Sequence, residues 1–164
     1  MDFVIEKMKD EDWSKVASVY REGIATGNST LEKEPPEWEK WDKDHLRNCR
    51  LVARAQGKVI GWAALSPVST RCAYSGVAEV SLYITTSARG IGVGKTLFRA
   101  VIKESEQAGI WTLQGQIFPE NISSIAMSKS CGFREVGYRE HIGQMNGVWR
   151  DVILMERRSK TVGV

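Results

Sequence analysis

The chain has 164 residues and a formal net charge of +3, a length that suits one folded domain, 1–164, with a real core. So small a charge, with its cations scattered rather than striped, gives no footprint for nucleic acid. No apolar run approaches the roughly 18 residues of a membrane span or resembles a signal peptide, so the expectation is a cytoplasmic protein.

In chain order, residues 3–8 alternate as a short strand with Phe3 and Ile5 on one face. Asp10 or Asp12 can cap a helix through Trp13, Val16, Ala17, Tyr20 and Ile24, whose end Gly23 and Gly27 loosen. In GNSTLEKEPPEWEKW, Pro35 and Pro36 are placed to start a second short helix. Residues 51–55 and 59–65 flank a hairpin turn at Gln56-Gly57, and 79–84 form the next strand. Val93, Leu97, Phe98, Val101 and Ile102 make the apolar stripe of a helix that Gly109 closes. A strand over 111–118, a helix from PENISS to Gly132 and a final hairpin turning at Asn146-Gly147 complete the pattern. That order predicts an α/β fold with a mixed central sheet and helices on both faces.

The stretch ARGIGVGKT, residues 88–96, lies between a strand and a helix. A Walker loop needs glycine five residues before Gly94, where Arg89 stands, and a dinucleotide fingerprint needs a third glycine at Lys95. What survives is Arg89-x-x-Gly92-x-Gly94. Amides of Gly90, Ile91, Gly92, Val93, Gly94 and Lys95 can converge on a pyrophosphate at a helix N-terminus. A glycine-rich turn without a ligand accounts for the loop equally well.

VSLYITTSARGIGVGKTLFRAVI resembles the acetyl-CoA signature of the GNAT superfamily of N-acetyltransferases, and NISSIAMSKSCGF resembles its second, downstream signature. AYSGVAEVSLYI, GNSTLEKEPPEWEKW and GVWRDVILMER are similar to segments of its phosphinothricin and methionine sulfoximine acetyltransferase subfamily. The resemblance covers essentially the whole chain and implies the GNAT fold, acetyl-CoA as co-substrate, no metal and a homodimer.

It also implies roles. Glu79 aligns with the subfamily's catalytic glutamate, and strand parity puts it on one face with Ser81 and Tyr83. The backbone of Leu82, Tyr83 and Ile84 would run beside the pantetheine arm, with Asn121 bonding the cofactor or its waters as well as capping a helix. SPVSTRCAY resembles the subfamily's acceptor loop, so Ser69, Arg71, Glu79 and Ser81 are the expected acceptor-binding residues; Ser69 replaces one of two arginines there. Trp149 and Asp151 match a tail motif that either shapes the acceptor pocket or, for Trp149, belongs to the core. Trp13 and Trp62 fall in core patterns, whereas Trp38 and Trp41 flank the acceptor loop or pack a dimer partner.

The superfamily often places a tyrosine at the position of Ser128 to protonate the departing thiolate, so the acid is open between water, Tyr83 and Tyr138. Cys49, Cys72 and Cys131 fit neither a disulfide framework nor a zinc site, and Cys72 and Cys131 have no base partner for an acyl-enzyme. His45 and His141 are too few for a metal or His-based nucleophilic site. The expected activity is direct acetyl transfer to the amine of a small amino-acid-like compound. Rivals are a protein N-terminus, polyamine or aminoglycoside as acceptor, a nucleotide-binding regulatory domain, and an acyl-CoA-binding module without catalysis.

Overall fold

The computed structural model describes residues 1–164. Its elements are β1 (Val4–Lys7), α1 (Trp13–Ala25), α2 (Trp38–Asp44), β2 (Leu51–Ala55), β3 (Lys58–Pro67), β4 (Val77–Ile84), α3 (Val93–Gln107), β5 (Thr112–Ile117), α4 (Ile122–Ser130), β6 (Arg134–Met145) and β7 (Val148–Arg158). They form one seven-stranded mixed sheet in the order β1-β2-β3-β4-β5-β7-β6. Both hairpin turns sit where two consecutive positive φ values allow a tight turn, at Gln56-Gly57 and Asn146-Gly147.

Alternation along β3 and β4 divides two cores. Leu51, Ala53, Ala63, Leu65 and the α3 stripe of Val93, Leu97 and Val101 close one face. Val52, Trp62 and Ala64 meet Val16, Val19 and Tyr20 of α1 on the other. Gly61 pairs with Ala53 and Val59 with Arg54, so Ile60 is an extra residue, a bulge that reverses the parity of β3.

Local expectations shift at three places. The strand holding Glu79 begins two residues earlier, because Val77 and Ala78 already pair with Thr112 and Leu113. α2 starts at Trp38, beyond the two prolines, which stay in the preceding loop. Gly23 does not loosen α1: it is buried inside the helix, and a Cβ there would stand 2.5 Å from the Tyr83 ring. Its missing side chain is the space Tyr83 occupies.

The feature that positions the site is a fork. β4 and β5 run parallel and pair only through Val77, Ala78 and Glu79 against Thr112, Leu113 and Gln114. Beyond that point β4 stays on β3 while β5 stays on β7, out to Ile117 against Ile153. The open edge of β4 from Val80 onward therefore borders a cleft through the sheet.

Candidate active site

Glu79 occupies the last paired position before the fork, opposite Ser66 of β3. Its Oε1 accepts from Gln114 Nε2 at 3.1 Å and Gln116 Nε2 at 2.9 Å. Its Oε2 has no protein donor and no cation pairs with it, so one oxygen is anchored and the other is free.

Two cavities meet along β4. The first, about 470 Å³, is lined by Glu79, Ser81, Ser66, His45 and Thr30, and reaches across the fork to Ser128 of α4. The second, about 880 Å³, runs between the N-terminus of α3 and α4, past Leu82, Tyr83 and Ile84. Ser29, Leu82, Tyr83 and Asn121 border both, so the cavities adjoin.

The larger groove is built from backbone. Gly90 has φ 77° and Gly92 φ 89°, values that side chains disfavour, and Gly92 is the N-cap of α3. The amides of residues 90–95 donate to no group in the protein, leaving a helix N-terminus of unpaired donors along the groove. A Cβ on Gly94 would lie 3.2 Å from Met127 Sδ, a tight approach, so glycine there keeps the passage to α4 wide. These donors and that clearance fit a pyrophosphate-bearing ligand.

Of the expected cofactor residues, Leu82, Tyr83, Ile84, Arg89, Gly90, Gly92, Gly94, Lys95 and Asn121 line the groove. Ile91 is exposed on the loop, and Val93 is turned into the core. Arg89 donates from Nε to the Ile84 carbonyl at 3.2 Å, tying the loop to the end of β4. Asn121 caps α4 by accepting from Ser124 N at 3.3 Å and donates to the Asn28 carbonyl at 3.2 Å. The capping role and a place on both cavities thus coexist.

The expected acceptor residues divide. Glu79 and Ser81 line the smaller cavity. Ser69 and Arg71 do not: they sit in the β3–β4 loop, where Ser69 Oγ accepts from Arg71 N at 3.1 Å and the guanidinium lies over Tyr74. Instead the smaller cavity carries the carboxylates of Glu32, Asp44 and Glu79 and no lysine or arginine. Lys40 pairs with Asp44 at 2.7 Å, whereas Glu32 and Glu79 have no salt-bridge partner.

Several organising residues carried no linear signal. Arg150 donates to the Gly27 carbonyl at 2.8 Å and Asn28 Oδ1 at 2.9 Å, and its guanidinium stacks 4.0 Å above Phe118. It staples the α1–α2 loop over the fork. Arg50, 7% exposed, binds Asp42 Oδ1 at 2.6 Å and the carbonyls of Asp42, His45 and Leu46, fixing the turn after α2. Trp41 is 1% exposed in the α1-side core, and Trp38 packs against that core. Trp149, exposed on β7, stacks beside His141, while Asp151 accepts from Tyr138 at 2.6 Å; neither lines either of the two cavities at the fork.

Two phenols differ in the same way. Burial and the neighbouring Tyr20 push the Tyr83 phenol up, so it stays protonated at the junction of both cavities. The Tyr138 phenol, pushed up to about 12 first by its bond to Asp151, is engaged there and lines neither cavity. Cys49 is buried, its thiol raised to about 11 by burial and Glu104, and no cysteine lines either cavity.

Residues 7–133 match the acetyltransferase (GNAT) family. Over 164 residues the chain is 30% identical to the phosphinothricin N-acetyltransferase of Alcaligenes faecalis, covering 93% of this chain and 81% of that one. It is 29% identical over 106 residues, 65% of this chain and 62% of the relative, to an L-methionine sulfoximine/L-methionine sulfone acetyltransferase of Pseudomonas aeruginosa. A phosphinothricin acetyltransferase from Sinorhizobium meliloti, solved in complex with acetyl-CoA, superposes with TM-score 0.88 at 27% identity, over 99% of this chain and 91% of that one. The fork, the glycine-built helix N-terminus and these likenesses agree: the chain is an N-acetyltransferase of the GNAT family, in its phosphinothricin acetyltransferase-like branch.

Proposed function

We propose that the chain transfers an acetyl group directly from acetyl-CoA to the amine of a small amino-acid-like substrate, of the phosphinothricin, methionine sulfoximine or methionine sulfone type. The observation that carries this is the free Oε2 of Glu79, which borders the acceptor cavity beside the groove that fits the co-substrate. The relatives' activities support the substrate class.

Acetyl-CoA supplies the acetyl group as a thioester. The amides of residues 90–95 and Arg89 hold its phosphates, and the edge of β4 lines its arm. Glu79 accepts a proton from the amine, directly or through water, with Oε1 held by Gln114 and Gln116 so that Oε2 faces its task without reorganising. Holding both substrates at the fork provides the proximity term. With no cysteine on either cavity, a covalent acyl-enzyme has no nucleophile of that kind, which favours a ternary complex.

A second reading is favoured by one specific observation, the carboxylate lining without a cation. Such a cavity suits an acceptor carrying more positive charge, such as a polyamine, an aminoglycoside or a protein N-terminus. Release of CoA thiol with a panel of phosphinothricin, methionine sulfoximine, methionine sulfone, ordinary amino acids, polyamines and peptides decides between them. Turnover of the first three supports the first reading; turnover of cationic amines alone replaces it. No turnover anywhere leaves only an acyl-CoA-binding module.

A further inference from the structure

We propose that His45 is a second proton acceptor of the acceptor cavity, besides Glu79. The inference rests on the smaller cavity being the acceptor site. An ammonium must shed one proton before its nitrogen can attack and another as the amide forms, so two acceptors have work to do.

The ring is held from every side but one. Its Nδ1 lies 2.7 Å from the Trp41 carbonyl oxygen, an acceptor only, so Nδ1 carries the hydrogen and Nε2 the lone pair. The ring stacks on Trp41 with centroids 4.2 Å apart. The His45 carbonyl accepts from Arg50 at 3.0 Å, and the next amide, Leu46, donates to Leu65 at 2.8 Å. That last bond sets His45 beside Ser66, whose partner across the sheet is Glu79. The Nε2 edge has no protein partner, while His45 lines the same cavity as Glu79. Four restraints thus orient one basic nitrogen that nothing in the protein uses.

The charged and titratable groups around it are Arg50 and Asp44 on its own segment, Glu32 of the α1–α2 loop, Tyr20 of α1, and Glu79 and Tyr83 of β4. Burial foremost, with Arg50 in the same direction, holds the imidazole below its ordinary value; the Trp41 carbonyl and Asp44 oppose this. Neutral imidazole, the form that accepts a proton, therefore persists to lower pH than for an exposed histidine. In the step, an N–H bond of the ammonium breaks, an Nε2–H bond forms, and the proton passes from the imidazolium to water. The amine keeps its electron pair.

His45→Asn tests this, because the asparagine amide can still donate to the Trp41 carbonyl while nothing replaces Nε2. His45→Gln is the second variant, should the first fold poorly. The expected result is a fall in kcat of roughly tenfold to a hundredfold with the KM for acetyl-CoA unchanged. The limb that His45 contributes to the acid side of the pH profile should vanish with it. A second readout needs no turnover: in wild-type protein the His45 Cε1–H resonance should titrate below the ordinary histidine range and shift when the acceptor amine is added alone. Folded variants with wild-type kcat and pH profile, or a resonance insensitive to the amine, overturn the proposal. Absence of turnover by the wild-type chain would instead overturn the assignment of the cavity itself.

Discussion

The two cavities at the fork use opposite materials. The groove proposed for the co-substrate has one wall of backbone, with the amides of residues 90–95, two glycines at positive φ and the edge of one strand, facing α4. The cavity proposed for the acceptor is made of side chains contributed by α1, the α1–α2 loop, α2 and the turn after it, four strands, α3 and α4. A backbone-built site recognises what every such ligand shares, an anionic pyrophosphate. A side-chain-built site can be respecified one residue at a time, so on the proposed reading reaction class resides in the first and acceptor choice in the second.

Substitution at the point where the two meet should have the largest effect. Glu79→Gln preserves shape and an acceptor oxygen for the two glutamine amides but removes the proposed base. We expect kcat to fall by roughly a hundredfold to ten-thousandfold at saturating substrates. Unchanged turnover across pH would detach Glu79 from the chemistry and leave the fork as scaffold.

Next come changes that should damage one cavity only. Gly94→Leu drives a side chain against Met127, so the KM for acetyl-CoA should rise on the order of tenfold or more, with acceptor KM little changed. Equal loss in both constants would show that the groove is not independently built. Arg150→Ala releases the α1–α2 loop from two charge-assisted hydrogen bonds. It should destabilise the protein by about 1–3 kcal/mol in urea denaturation and raise the acceptor KM more than that for acetyl-CoA. The reverse order of KM effects would make the loop part of the co-substrate site.

The same contrast governs what the linear sequence could reveal. Gly92 and Asn121 were legible because their roles are local: one starts a helix at positive φ, the other caps the helix directly behind it. The order of elements followed from periodicity and turn residues for the same reason. Glu79 was singled out by its alignment with the subfamily's glutamate together with strand parity, but not its anchoring, since Gln114 is 35 residues away. Arg150 reaches its loop over 123 residues of chain, and no spacing encodes that. His45 was set aside because a count of histidines says nothing of a ring fixed by a carbonyl, an indole and a buried arginine. Arg71 shows the converse: its segment is similar to an acceptor loop, yet the structure places the guanidinium over Tyr74. Sequence similarity conveys which residue is present, whereas the direction of a long side chain depends on its neighbours.

The smallest expected effect probes a side chain that braces the approach to the glycine loop. Glu22 of α1 accepts from Thr85 Oγ1 at 2.9 and 2.8 Å and from the Thr86 amide at 2.8 Å, pinning the segment that leads into the glycine loop. The Thr86 amide, foremost, holds its carboxyl below the ordinary glutamate value, with both threonine hydroxyls and Arg89 acting in the same direction against desolvation. Because the folded pKa is depressed, the stabilisation is present above the unfolded value and lost as pH falls through the folded one. Glu22→Gln should therefore cost about 1 kcal/mol at neutral pH by urea denaturation. The gap between variant and wild type should close as the pH is lowered past the glutamate range. Acetyl-CoA affinity should weaken slightly and acceptor KM stay constant. A gap that persists at acid pH would mean that Glu22 acts by packing rather than charge.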